Sequence, residues 1–101
     1  MQSILEEADA IINGERQDQY GNPEDSFQII ADFWTVYLIH KYNFEWSLDA
    51  EDTAIMMSLL KHARMLGQNS KRDNVVDAVG YLAILADRIL KSKIEMCLKR
   101  G

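Results

Sequence analysis

Cysteine is nearly missing from this chain: Cys97 stands alone among 101 residues. That excludes an internal disulfide and a cysteine zinc cluster, and it fits a reducing compartment. Proline is just as scarce, with Pro23 alone. No apolar run approaches the roughly 18 residues of a membrane span. The first residues carry Glu6, Glu7 and Asp9 instead of the basic-then-apolar pattern of a signal peptide. The expectation is a cytoplasmic protein. Basic charge is also short. The net charge is -5, so direct nucleic-acid binding is not expected, because neutralising phosphates needs a basic surface. Arg88, Lys91, Lys93, Lys99 and Arg100 cluster near the end and read as a solvated basic helix terminus.

What is present is helical. Hydrophobic content is 48%, enough for a folded core and too high for a disordered chain. The length suggests a single helical domain over residues 1–101. A first helix is expected from Ile4 to Asn13, opened by a Ser3–Glu6 capping box and stopped by Gly14. Ile4, Leu5, Ala8, Ile11 and Ile12 form its buried face. A polar connector follows over residues 15–21.

The second helix starts at Asn22–Pro23 and runs to about Lys41. It has one stripe of Phe27, Ile30, Ala31, Trp34 and Leu38, and a second of Ile29, Phe33 and Val36. A helix apolar on two sides is central in a bundle or shared with another subunit. The third helix is capped by Asp49, with Asp52 three residues on. Its expected core stripe is Ile55, Met56, Leu59, Ala63 and Leu66, with Gly67 as its stop. After a loop over residues 68–72, a fourth helix is expected from Asn74 to Leu98. Its buried line is Val75, Val76, Val79, Leu82, Ala83, Ala86 and Leu90. No segment alternates as a strand would, and short loops favour an all-α, antiparallel four-helix bundle.

The candidate chemistry is acidic. Asp73 and Asp77 are four residues apart and share one side of a helix. Asp52 continues the stripe of helix three, and Asp77 borders that of helix four. A carboxylate in such a place needs a partner or a metal. Magnesium takes oxygen ligands and keeps several waters, so Asp52, Asp73 and Asp77 are its candidate ligands. The competing reading makes Asp49 and Asp73 ordinary caps that favour the helix dipole. Lys61 and Arg64 share a face and suit phosphate, although cations also belong at helix C-termini. Arg16 and Tyr20 precede a helix start, where an anion can bind and a tyrosine can stack on a base; the alternative is a structured turn. His40 and His62 lack metal-ligand spacing. Gly80, about one turn past Asp77, suggests either close helix contact or room for a ligand.

A resemblance joins these residues. Glu15-Arg16, Tyr20-Gly21, Pro23, Phe27, Ile30-Ala31, Trp34, Glu51-Asp52, Met56-Met57, Leu59-Leu60-Lys61, Ala63-Arg64, Arg72-Asp73, Val76-Asp77 and Gly80-Tyr81 resemble a family of small, uncharacterised phage and prophage proteins. The resemblance spans about residues 4–90 and implies a bacterial host cell as the setting. Asp73-x-x-x-Asp77, followed by Ala-Val-Gly-Tyr-Leu, looks like the second acidic helix of the MazG-like all-α nucleoside-triphosphate pyrophosphatases. Those enzymes carry Glu-x-x-Glu on one helix and Glu-x-x-Asp on the next. Here Asp77 matches the final Asp, the Asp73 spacing is one residue longer, and Asp49-x-x-Asp52 replaces the first pair.

That resemblance implies a homo-oligomer that holds magnesium and splits a nucleoside triphosphate into monophosphate and pyrophosphate. Asp73 and Asp77 would be catalytic. Lys61, Arg64, Arg16 and Tyr20 would bind the nucleotide. Two further expectations stand beside the enzyme. One is a non-catalytic helical oligomer binding a nucleotide or a host protein. The other is a purely structural role for these charges.

Overall fold

The computed structural model describes residues 3–13, 22–67 and 71–100, with side chains over 3–10, 22–67 and 71–98. Among these residues every regular element is a helix. The elements are α1 (Ile4–Asn13), α2 (Pro23–Tyr42), α3 (Ala50–Met65), α4 (Lys71–Ile84), a π-helical segment (Leu85–Leu90) and α5 (Lys91–Arg100). The Gly14 stop, the connector over 15–21, the 68–70 part of the loop and the Ile11 and Ile12 side chains lie outside the described residues.

The local signals act where their chemistry is strongest. The Glu6 N–H donates to Ser3 Oγ at 3.1 Å. At Asp49 the capping box is complete: its carboxylate accepts from the Asp52 N–H at 3.1 Å, and the Asp52 carboxylate accepts from the Asp49 N–H at 3.0 Å. Pro23 opens α2 beside an extended Asn22 that makes no side-chain cap bond. Asn43 ends α2 in the left-handed region at φ 54, and its N–H returns to the Ile39 carbonyl at 3.0 Å.

The expected fourth helix divides. Its helical turns begin at Lys71, so Asp73 lies inside the first turn and is not a cap. The π-helical segment then interrupts the α pattern before α5. A wider turn rotates every later residue relative to α4, so one apolar line does not run through. Ala86 is exposed within the segment, Leu82 is exposed already ahead of it, and Val76, Ile84 and Ile89 are buried.

α1 lies against α4, α2 against α3, and α3 against α4. Two ion pairs fix a direction. Lys61 of α3 meets Asp77 of α4, and Asp49 at the start of α3 meets Lys93 of α5. The pairs run in opposite sequence order, so α3 is antiparallel to the rod from α4 to α5. The core gathers Phe27, Ala50, Ala54, Ile84 and Ile89, with Ile30, Tyr81, Ala83 and Leu85 packed on it.

One expectation about α3 is overturned. Ile55, Met56, Leu59 and Leu66 are exposed, and so is Ala63. The buried face is instead Ala50, Thr53, Ala54 and Ser58. Small side chains let α2 and α4 come close to this helix, and the large apolar ones are turned outward. On α2 the first stripe is inside, with Phe27 and Ala31 buried and Ile30, Trp34 and Leu38 half-buried. Its second stripe, Ile29, Phe33 and Val36, faces out.

Candidate functional site

The seam between α3 and α4 carries one charged pair. Lys61 Nζ lies 3.0 Å from an Asp77 carboxylate oxygen, with side-chain exposures of 14% and 35%. Lys61 leans inward from the buried side of α3, and Asp77 answers from α4. The ammonium has three N–H donors and this contact occupies one. Asp73 is exposed one turn before Asp77 on α4, and Arg64 is exposed one turn beyond Lys61 on α3. A Cβ built at Gly80 meets nothing within 4 Å. Of the two roles suggested for that glycine, close helix contact has no support here.

Asp52 stands apart from this pair in what it does. Its carboxylate closes the capping box on the Asp49 N–H. Among the described residues, no group of three or more His, Cys, Asp or Glu is gathered that could hold a metal ion. Asp52, Asp73 and Asp77 therefore do not form a ready magnesium set within one chain. Arg16 and Tyr20 lie outside the described residues.

A second charged group lies at the start of α3. Lys93 Nζ donates to Asp49 at 2.9 Å and to Glu51 at 2.6 Å. Hydrogen bonds that Lys93 donates to Glu51 and then to Asp49 hold its pKa above its ordinary 10.5, against a smaller effect of burial. For Asp49 the largest single influence is partial burial, which works against its charge. Lys93 and the Asp52 N–H together outweigh it, so its pKa is lowered from 3.8. Elsewhere Arg88 Nε donates to Glu24 at 3.1 Å, and Arg72 pairs with Glu7.

These ties were not visible in the sequence. Arg88 and Lys93 read as part of a solvated basic end, and their partners are 42 to 64 residues away. Nothing local marks such a pair. The histidines keep modest roles. His62 Nδ1 donates to the Ser58 carbonyl at 2.7 Å, and His40 is exposed.

The chain matches a family model described as a domain of unknown function (DUF6378) over residues 3–89, and it belongs to that family. It is 41% identical over 83 residues to the Gene 55 protein of Mycobacterium phage L5, covering 82% of this chain and 50% of that protein. With the Gene 55 protein of Mycobacterium phage D29 the identity is 37% over 94 residues, covering 93% and 58%. The chain thus spans about half the length of the curated relatives it matches. No solved structure matches it. The family and these relatives place it among phage proteins of unknown function. They carry no MazG-like likeness. Among the described residues no helix is long and apolar enough to cross a membrane.

Proposed function

We propose that this phage protein works in the host cytoplasm as a homo-oligomer of antiparallel four-helix bundles, and that the α3–α4 seam binds the phosphates of a nucleotide. The observation that carries the reading is the half-buried Lys61–Asp77 pair. Asp77 holds the ammonium in place, and its remaining donors suit phosphate oxygens. Partial removal from water strengthens that attraction. Arg64, one turn along, would fork onto a second phosphate. Arg16 and Tyr20 would contact the nucleoside.

A second reading is the magnesium-dependent release of pyrophosphate from a nucleoside triphosphate. It is favoured by Asp73 and Asp77 lying one turn apart on the same helix and by the resemblance to the MazG-like enzymes. In that reading Asp73, Asp77 and Asp52 would be the residues to hold the metal, which would supply charge neutralisation at the phosphates and help to activate water.

One experiment separates the readings. The full chain is screened against ribo- and deoxyribonucleoside triphosphates, with and without magnesium, by thermal shift and by pyrophosphate release. Binding predicts a rise in Tm with at least one nucleotide that is lost in Lys61→Ala. Magnesium-dependent pyrophosphate that disappears in Asp77→Asn supports the enzyme. No shift and no product with any nucleotide would sink both, and leaves a host protein as the partner to seek.

A further inference from the structure

We infer that a gap inside the α3–α4 seam, between Ser58 and Gly80, is the seat for the pentose of a nucleotide. The inference rests on the nucleotide-binding reading above and specifies where the sugar goes. Two contacts bracket the gap. Lys61 meets Asp77 at one end, and Ala54 and Ile84 share the core at the other. On α3, Ser58 lies between Ala54 and Lys61, four residues from the first and three from the second. On α4, Gly80 lies three residues from Asp77 and four from Ile84. Residues three and four apart share a helix face. The two helices are antiparallel, so Ser58 comes level with Gly80.

What lies between them is space. Gly80 is buried, yet a Cβ built on it meets nothing within 4 Å. Ser58 is only 3% exposed, and its hydroxyl has no hydrogen-bond partner among the described residues. The buried hydroxyls of Thr35 and Thr53 both donate to carbonyls; that of Ser58 does not. Among the described residues no buried side-chain nitrogen or oxygen is sealed away unpaired. The Ser58 hydroxyl therefore borders open space, and the gap is the space its helix face meets. The lining selects the occupant. Ala54 and Ile84 make an apolar floor, Ser58 adds one hydroxyl, and charge is confined to the Lys61–Asp77 rim. Such a mainly apolar cleft with a few polar groups suits an organic ligand. A phosphate inside it would lie on the apolar floor with the Asp77 carboxylate beside it. A pentose fits better: its C–H edges meet the floor, one hydroxyl bonds Ser58, and its phosphate emerges at Lys61. Arg64 lies beyond Lys61 on the side away from Ser58, so the phosphate chain runs on toward it.

The test is calorimetric titration of the full chain, without added metal, with the common nucleoside triphosphates and with inorganic triphosphate, which carries the phosphates and no sugar. The wild type is expected to bind at least one nucleotide about tenfold or more tighter than inorganic triphosphate. Gly80→Ala adds one carbon to the gap. It should fold with an unchanged or higher Tm, lose about tenfold in nucleotide affinity, and keep its affinity for inorganic triphosphate. Ser58→Ala adds no bulk and should lose about fivefold for the nucleotide alone. A wild type that binds neither ligand overturns the nucleotide-binding reading and this seat together. Equal wild-type affinity for both ligands keeps a phosphate site and overturns the seat. So does nucleotide affinity unchanged in Gly80→Ala, or an equal loss for both ligands in that variant. A Gly80→Ala protein that folds poorly shows the gap to be closed in solution and overturns the seat as well.

Discussion

Thr53 shows how little room the centre of the molecule leaves. Its side chain is fully enclosed, and its hydroxyl donates to the Phe27 carbonyl at 2.9 Å, tying α3 to α2. Thr53→Val keeps the shape and removes the donor. The expected cost is about 1 kcal/mol, read as a lower urea midpoint with unchanged slope; no change would deny the bond its role. Thr35 does similar work, donating to the Ala31 carbonyl and accepting from the Leu48 N–H. Neither threonine stood out in the sequence, because a buried hydroxyl between helices leaves no periodic trace. Asp77 did stand out, as an acid bordering an apolar line that needed a partner. The partner is Lys61, and both were named separately as candidates. What the sequence could not supply was their meeting, which depends on how α3 and α4 pack.

At the scale of elements, the strongest local chemistry was readable and the tertiary choices were not. The Ser3 and Asp49 caps and the Pro23 start act within a few residues, so composition and spacing reveal them. The apolar rows of α3 were equally visible, yet the face they mark is outward. Periodicity identifies a stripe without saying which neighbour covers it. The π-helical segment was invisible for a related reason, since its residues are ordinary helix formers. Asp49 offers a check on element stability. Asp49→Ala should cost about 1 kcal/mol at neutral pH. The lowered pKa of Asp49 means its contribution is present above 3.8 and is lost as pH falls through the lower folded value. The difference between variant and wild type should therefore shrink well below 3.8, as measured by denaturation at both pH values. On the basic side, the raised Lys93 pKa keeps its contribution intact below 10.5, to be lost only as pH rises through the higher folded value. Gly80→Ala should act in the opposite direction. Nothing blocks the added Cβ, and alanine is better by roughly 0.5–1 kcal/mol inside a helix. A drop in Tm would show that the seam closes on that position in solution.

The whole molecule is open for its length. Its radius of gyration is 15.2 Å, against about 13 Å for a compact domain of 100 residues. Large apolar side chains stay outside on two of its longest helices, from Ile29 and Phe33 on α2 to Ile55 and Leu59 on α3. Such surface is costly to leave in water. The same openness bears on the seam. A single chain brings Lys61 to Asp77 but gathers no set of three acids among its described residues. Phosphate binding is therefore the simpler task for this arrangement than metal-assisted cleavage.

The measurement that tests this most directly is calorimetric titration of the full chain with the nucleoside triphosphate giving the largest thermal shift, in wild type and in Lys61→Gln, without added metal. The account predicts saturable binding in the wild type and a loss of at least about tenfold in affinity in the variant, with both proteins folded. Equal affinity in the two proteins would contradict it and remove the α3–α4 seam as the phosphate site.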